Sequence, residues 1–330
     1  MKRKILSTFF TVMLAGLVMT GCKQNVGTPE DNPVVETEDM EEETEETGYV
    51  FGYSGIDLEN EYFSTLGLAM EEALGDEGRI ISKSADTDAD LQAQQIQEFI
   101  DQGVDAVFLT PVDWEAISPS LEALKEADIP VINLDTQVKE TDLVDAFIGS
   151  NNKSAGTVCG EDLLERCPDG GRILLMECAD RNSIIERING FEKTISNGGF
   201  EVLARADGRG DKETAKALMK EFLEQYPEID AVMCGNDTMA LGVMEAVREA
   251  KRDGILIYGI DGSPDVKAEI AKEDGLITAT AAQTPIEMGK DAVKIVLAVL
   301  NGEEHKSEVY EDTFLIDKEN IELYGTDGWQ

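Results

Sequence analysis

The stretches GVDAVFLTPVDWEAI and EIDAVMCGNDTMALG are one unit written twice, and no other feature constrains this chain as much. Each opens on Asp-Ala-Val (residues 105–107 and 230–232), stays apolar for the length of a strand, breaks at a polar turn with an aspartate (Asp113, Asp237), and then takes helical spacing. Each is followed by a second short apolar run ending in aspartate, IPVINLD at Asp135 and ILIYGID at Asp261. A strand, helix, strand unit of this kind is a crossover that builds parallel sheet. Its repetition predicts an α/β protein of two similar, doubly wound parallel-sheet lobes. Ligands of open parallel sheets bind beyond the carboxyl ends of the strands, which places Asp135, Asn236 and Asp261 where a ligand would be.

With 330 residues, 42% of them hydrophobic, the chain can bury two sizeable cores. Its formal net charge of -40 argues against a nucleic-acid partner, because phosphate binding needs a basic face. Residues 1–22 have the form of an export signal: Lys2, Arg3 and Lys4 precede an apolar run that ends at Met19-Thr20-Gly21-Cys22. That ending resembles the lipobox of bacterial lipoproteins, which implies lipidation of Cys22 and a membrane anchor there. Residues 23–48 are polar and acidic, with EDMEEETEET near the end, and predict a disordered tether. Cys159, Cys167, Cys178 and Cys234 form no CxxC pair, and the single His305 sits in a polar turn, so neither a metal nor a redox cofactor is expected.

From Tyr49 onward strand and helix patterns alternate, and a helix is expected over residues 114–127 with Trp114 just inside it. No GxGxxG follows the first strand, and GxxxxGK[ST] and GxSxG are absent, which removes the usual nucleotide and hydrolase cradles and leaves no catalytic residues to name. The run DTDADLQAQQIQ mimics the spacing of a calcium loop, but Leu91 stands where glycine is required and Gln97 where a bidentate glutamate is required. Helix capping by Thr87 or Asp88 accounts for it better. At the GNDT turn, Asp237 is expected to cap the following helix and Asn236 to meet the ligand.

Taken together, NEYF (residues 60–63), IPVINLD, GSNN (149–152), ERINGF, AVMCGNDTMALG, YGIDGSPD and TATAAQ stand in order and at fitting separations. In these the chain resembles the sugar ABC transporter solute-binding lipoproteins, in the ribose/galactose-binding group of type I periplasmic binding proteins. The resemblance covers nearly all of residues 49–330. It implies a lobe of 49–150 plus 284–312, a lobe of 151–283 plus 313–330, and a hinge of three crossings, at Gly149 to Asn152, after Gln283 and near Asp312. It also implies a monosaccharide or polyol held between the lobes, with Tyr62 and Phe63 stacking on the ring. Asn60, Asp135, Arg187, Asn236, Asp261 and Gln283 would then bind hydroxyls.

The implied partners are an ABC transporter permease and the membrane, through the lipid on Cys22. The implied state is a monomeric, extracytoplasmic, non-enzymatic protein anchored to the bacterial cell membrane. A sensor that presents its sugar to a kinase or chemoreceptor without transport is the alternative. Plainer roles stay open from the residues alone: Tyr62 and Phe63 as core residues, Asp135 and Asp261 as helix caps, Arg187 as a solvated residue paired with Glu186 or Glu192. Thr136 follows Asp135 where ribose binders commonly have arginine, and ADGRGDKE lacks a stacking aromatic. Both departures extend the expected ligands to hexoses, polyols and inositols.

Overall fold

The computed structural model describes residues 48–330; the export signal, Cys22 and the tether up to residue 47 lie outside the described residues. The first half runs β1 (Tyr49–Gly55), α1 (Glu61–Leu74), β2 (Gly78–Ser84), α2 (Ala89–Gln102), β3 (Ala106–Leu109), α3 (Ser118–Glu126), β4 (Val131–Leu134) and β5 (Ala146–Ser150). The second runs α4 (Asn152–Arg166), β6 (Gly171–Glu177), α5 (Asn182–Ile195), β7 (Phe200–Asp207), α6 (Lys212–Gln225), β8 (Ala231–Cys234), α7 (Asp237–Glu249), β9 (Leu256–Asp261), α8 (Pro264–Ala271) and β10 (Ile277–Ala282). The chain then returns through α9 (Pro285–Asn301) and β11 (Glu308–Glu311), and closes with β12 (Phe314–Asp317) and α10 (Ile321–Tyr324).

The strands form two six-stranded sheets of matching order, β2-β1-β3-β4-β5-β11 and β7-β6-β8-β9-β10-β12. All neighbours are parallel except β12, which runs antiparallel to β10. The twin Asp-Ala-Val stretches occupy equivalent places. Asp105 enters β3 and accepts from the Val50 N–H of β1 at 2.8 Å, while Asp230 enters β8 and accepts from the Arg172 N–H of β6 at 2.7 Å. Each aspartate thus fastens the start of a central strand to its neighbour, which is why the residue recurs in the repeat.

Each sheet is covered on its faces by helices. Phe51, Tyr53 and Phe108 of the first sheet pack with Leu66 and Met70 of α1 and with Met288, Ala292 and Val296 of α9. On the opposite face Val107 and Leu109 meet Phe99 of α2 and Leu121 of α3. The second sheet has one continuous core, in which Cys159, Cys178 and Cys234 are buried as free thiols.

The chain passes between the sheets three times, from β5 to α4, from β10 to α9 and from β11 to β12. Each passage carries a buried hydroxyl without a partner, Ser150, Thr284 and Thr313; the one further buried side-chain atom of this kind among the described residues is Gln95 Oε1. Most buried polar groups are satisfied in native proteins. Polar satisfaction is therefore least complete where the lobes hinge.

Two local expectations are corrected. Helix α3 starts at Ser118 rather than at residue 114, because the Asp113 carboxylate accepts from the Glu115 and Ala116 N–H groups and holds a turn there. Trp114 lies in that turn and gives its backbone N–H to the Asp180 carbonyl at 3.1 Å. Strand β11 was not anticipated, since Glu308 and Glu311 at its ends carry the polarity of an exposed sheet edge. Asp88 caps α2, as one of the two readings of that loop requires.

Helices α4 and α5 touch through glycine. A Cβ on Gly156 would stand 1.8 Å from the Arg187 carbonyl oxygen, and one on Gly190 would stand 2.2 Å from that of Lys153. This approach sets the depth at which α5 carries Arg187. Gly156→Ala should therefore lower stability by about 1–3 kcal/mol, the usual cost of overpacking, measurable by urea denaturation. An unchanged midpoint would show that the helices do not depend on this contact.

Candidate functional site

Asp135 and Asp261 follow the equivalent strands β4 and β9, so one aspartate from each lobe stands at the carboxyl end of the fourth strand of its sheet. Their backbones are unusual, with φ of 60° at Asp135 and 149° at Asp261, regions that non-glycine residues occupy mainly where the surroundings hold them. Asn133 of β4 does this for the first turn: its Nδ2 donates to the Leu109 and Thr136 carbonyls, and its Oδ1 accepts from the Val138 N–H. Neither aspartate caps a helix; Ser263 caps the helix after Asp261.

Arg187, on α5, is buried and fully engaged along one edge. Its Nε donates to Asn152 Oδ1 at 2.8 Å, and its Nη1 donates to the Gly235 carbonyl at 2.9 Å and to Asp261 Oδ1 at 3.3 Å. Gln283 Nε2 donates to the same Asp261 oxygen at 2.7 Å, and Gln283 Oε1 accepts from the Tyr62 hydroxyl at 3.4 Å. Burial pushes the Asp261 carboxyl up to about 7, with the Arg187 guanidinium opposing and Asp237 and Asp135 adding to the rise. Burial, and then the charges of Asp135 and Asp261, raise the Tyr62 phenol well above its ordinary value, so it stays a donor.

Asn60 and Asn236 are helix caps as well as cleft residues. Asn60 Oδ1 accepts from the Tyr62 N–H at the start of α1, and Asn236 Oδ1 accepts from the Met239 N–H at the start of α7. The expected cap of α7 is thus corrected: it is Asn236, and Asp237 points inward. Asp237 accepts from Ser263 N–H, Ser263 Oγ and Thr280 Oγ1 at 2.7–2.8 Å and ties three elements together. With both amide oxygens committed to helix N–H groups, Asn60 and Asn236 turn their NH2 groups outward, so both can act as donors. Tyr62 and Phe63 meet edge to face at 5.3 Å, and their rings border the cavity and also pack into a small apolar cluster.

Asn60, Tyr62, Phe63, Asp135, Arg187, Asn236 and Asp261 line one cavity between the lobes, with Gln283 directly behind Asp261. Arg181, Ser183 and Ile184 complete its wall. No sequence motif pointed to Arg181, Ser183 or Trp329. Asn152 is the second asparagine of GSNN and orients Arg187. Trp329 packs its ring on Tyr62 at 5.5 Å, held by the buried Lys267, which donates to the Gly328 carbonyl.

The lobes also meet through Thr136 Oγ1 and Ser183 Oγ at 2.7 Å and through Asn60 Nδ2 and Thr238 Oγ1 at 3.5 Å. The cavity between them measures about 20 Å³, the room of about one water, so admission of a larger solute requires these contacts to part.

Two lobes on three strands of backbone, with donors and acceptors from both converging between them, define a cleft-binding receptor for a small polar solute. The model of the periplasmic binding protein domain matches residues 51–304 of this chain. The chain belongs to the periplasmic binding protein family. A ribose import binding protein of Salmonella typhimurium is 30% identical over 225 residues, 68% of this chain and 75% of that protein. A xylitol-binding protein of Mycolicibacterium smegmatis is 27% identical, over 74% of this chain and 70% of its own length. Among solved structures, an ABC transporter solute-binding protein from Bacillus halodurans with bound myo-inositol superposes with a TM-score of 0.77 at 28% identity, covering 84% of this chain and 96% of that one.

The Asp261 titration has a definite sign. Its folded-state pKa of about 7 lies above the unfolded value of roughly 3.9, so folding takes up a proton between the two. That contribution is fully present below the unfolded value and is lost as pH rises through the folded one. The melting temperature of the wild type minus that of Asp261→Asn should rise as pH is lowered from neutral toward 5. A difference that does not vary with pH would place the Asp261 titration outside this window.

Proposed function

We propose that this protein captures a neutral sugar or polyol outside the cytoplasm, between its two lobes, and delivers it to an ABC permease. The observation that carries the reading is the chemistry left over at the cavity. Asp261 Oδ2 has no protein partner among the described residues, the Asp135 carboxyl accepts only from the Thr136 and Tyr62 hydroxyls and keeps lone pairs to spare, and Arg187 Nη2 and one N–H each of the Asn60 and Asn236 amides remain as donors. Hydroxyl groups donate and accept at once, so a polyhydroxylated solute satisfies both kinds together. The relatives that import ribose or bind xylitol and the neighbour that holds myo-inositol support this class of ligand.

On this reading the moving bodies are residues 49–150 with 284–312 and residues 151–283 with 313–330. The protein acts as a monomer, without catalysis or cofactor, and a lipid on Cys22 tethers it to the membrane through the acidic segment.

A thermal-shift screen against pentoses, hexoses, polyols and inositols tests the reading, because a ligand bound only by the folded state raises its midpoint. At least one neutral member of the panel should do so; a panel without effect would overturn the proposal. Asp135→Asn keeps a side chain that tolerates the left-handed backbone yet removes the anionic acceptor, and should weaken the ligand so found by about 10- to 150-fold, or roughly 1.5–3 kcal/mol. Arg187→Ala should lose both binding and stability, since Asp261 is left buried without its counter-charge. For the anchor, labelled fatty acid should enter the wild type and not Cys22→Ser, and a wild type found wholly in the medium would refute lipidation.

A further inference from the structure

Arg181 breaks the local rules of the helix it precedes. It fills the N-cap position of α5, where an oxygen-bearing side chain would accept from the free N–H groups, and makes no cap bond. It sets a cation at the positive end of the helix dipole. It is also 8% exposed, and among the described residues its guanidinium has neither a hydrogen bond nor an ion pair. None of its nitrogens is among the fully buried polar atoms, so its five donors open onto the cleft, where solvent or a solute has to supply the acceptors. Sites where a sequence abandons local preference in this way are expected to be functional ones.

The surroundings are built to hold it there. The guanidinium lies against Gly210, whose φ is +67°, and a Cβ at that position would stand 2.4 Å from Arg181 Nη1. The same loop is tied to the inner cavity, because Asn236 Nδ2 donates to the Gly210 carbonyl at 3.2 Å. Arg181 borders the inner cavity and also two outer chambers of the cleft, of about 500 and 490 Å³. Its donors therefore stand at the outward end of whatever the inner cavity holds.

We propose that Arg181 is a specificity-determining ligand contact, whose planar fork closes on a pair of neighbouring oxygens at the outward end of a neutral, polyhydroxylated ligand. The inference rests on the function proposed above and narrows the ligand class. Within the cavity the acids Asp135 and Asp261 face the cations Arg181 and Arg187, so both signs of charge meet the solute. Around the outer chamber Asp57, Glu59, Asp86, Asp180 and Asp211 outnumber Arg181 and Arg209, which disfavours an anion on its way in. A ligand that meets Asp135 and Asp261 at one end and Arg181 at the other must carry oxygens around its whole frame. Pentoses, hexoses, pentitols and inositols meet that condition; a three-carbon polyol has three hydroxyls, too few to give Arg181 a pair and each aspartate one of its own.

Isothermal titration of D-ribose, xylitol, myo-inositol, D-galactose, glycerol and D-galacturonate into the wild type, Arg181→Ala and Arg181→Lys tests this. The tightest neutral probe should bind Arg181→Ala at least about tenfold more weakly, and the lysine variant should recover little of that, because an ammonium cannot reproduce the bidentate fork. The melting temperature of the ligand-free protein should be unchanged or higher, since no hydrogen bond is lost and a cation leaves the positive end of the helix dipole. Binding to Arg181→Ala within threefold of wild type, or a lower melting temperature with unchanged affinity, would overturn the assignment. Tighter wild-type binding of D-galacturonate than of D-galactose would overturn the neutral class, and glycerol as the tightest probe would overturn the requirement for an extended ligand. A wild type that binds no probe would instead overturn the underlying function, and this inference with it.

Discussion

The buried pair of Arg187 and Asp261 organises the second lobe's wall of the cleft, and through Gln283 it reaches Tyr62 of the first. A charge pair out of water is stable only when its remaining hydrogen-bonding capacity is satisfied, and the loss of one partner from such a pair costs about 3–5 kcal/mol. Here the satisfaction comes from well-separated parts of the chain: Asn152, just past the first crossing between lobes, Gly235 at the end of β8, and Gln283 at the second crossing. Binding site and hinge are therefore parts of one hydrogen-bonded network. A solute that bonds to the free oxygen of Asp261 acts on a residue bonded directly to the hinge.

The same economy governs the asparagines. Each helix that starts at the cleft needs an oxygen for its first N–H groups, and Asn60 and Asn236 provide it with Oδ1 while presenting NH2 to the cavity. Capping thereby fixes which way each amide faces, which makes the two residues donors and leaves acceptance to the aspartates. Arg181 is the exception at the third helix start, where the cap is given up and a guanidinium faces the cleft in its place. The unpartnered hydroxyls of Ser150, Thr284 and Thr313 lie at the three crossings between the lobes.

Much of this was legible beforehand because it is written in local pattern. The alternation of strand and helix, the duplicated Asp-Ala-Val unit and the aspartates that end IPVINLD and YGID follow from periodicity and from the rule that ligands meet parallel sheets at strand carboxyl ends. The residues picked from those motifs do line one cavity, with Gln283 immediately behind it. What failed was finer. Asn236 and Asp237 are adjacent, both are good caps, and only the packing of β9, α8 and β10 around Asp237 decides that Asn236 does the capping. Residues 114–117 have helical spacing, yet the Asp113 carboxylate draws their N–H groups into a turn.

The sequence by itself determined two parallel-sheet lobes and the strand ends at which solute chemistry would gather, since these depend on neighbours a few residues apart. Only the tertiary structure decided how the lobes meet. Arg187 reaches its depth because Gly156 and Gly190 let two helices touch, and Arg181 stands in the cleft because Gly210 leaves it room. Trp329 comes to Tyr62, 267 positions earlier in the chain, because a buried lysine holds the chain end in place. Each of these is a contact between residues far apart in the chain, and distance in sequence carries no local signal from which such contacts could be read.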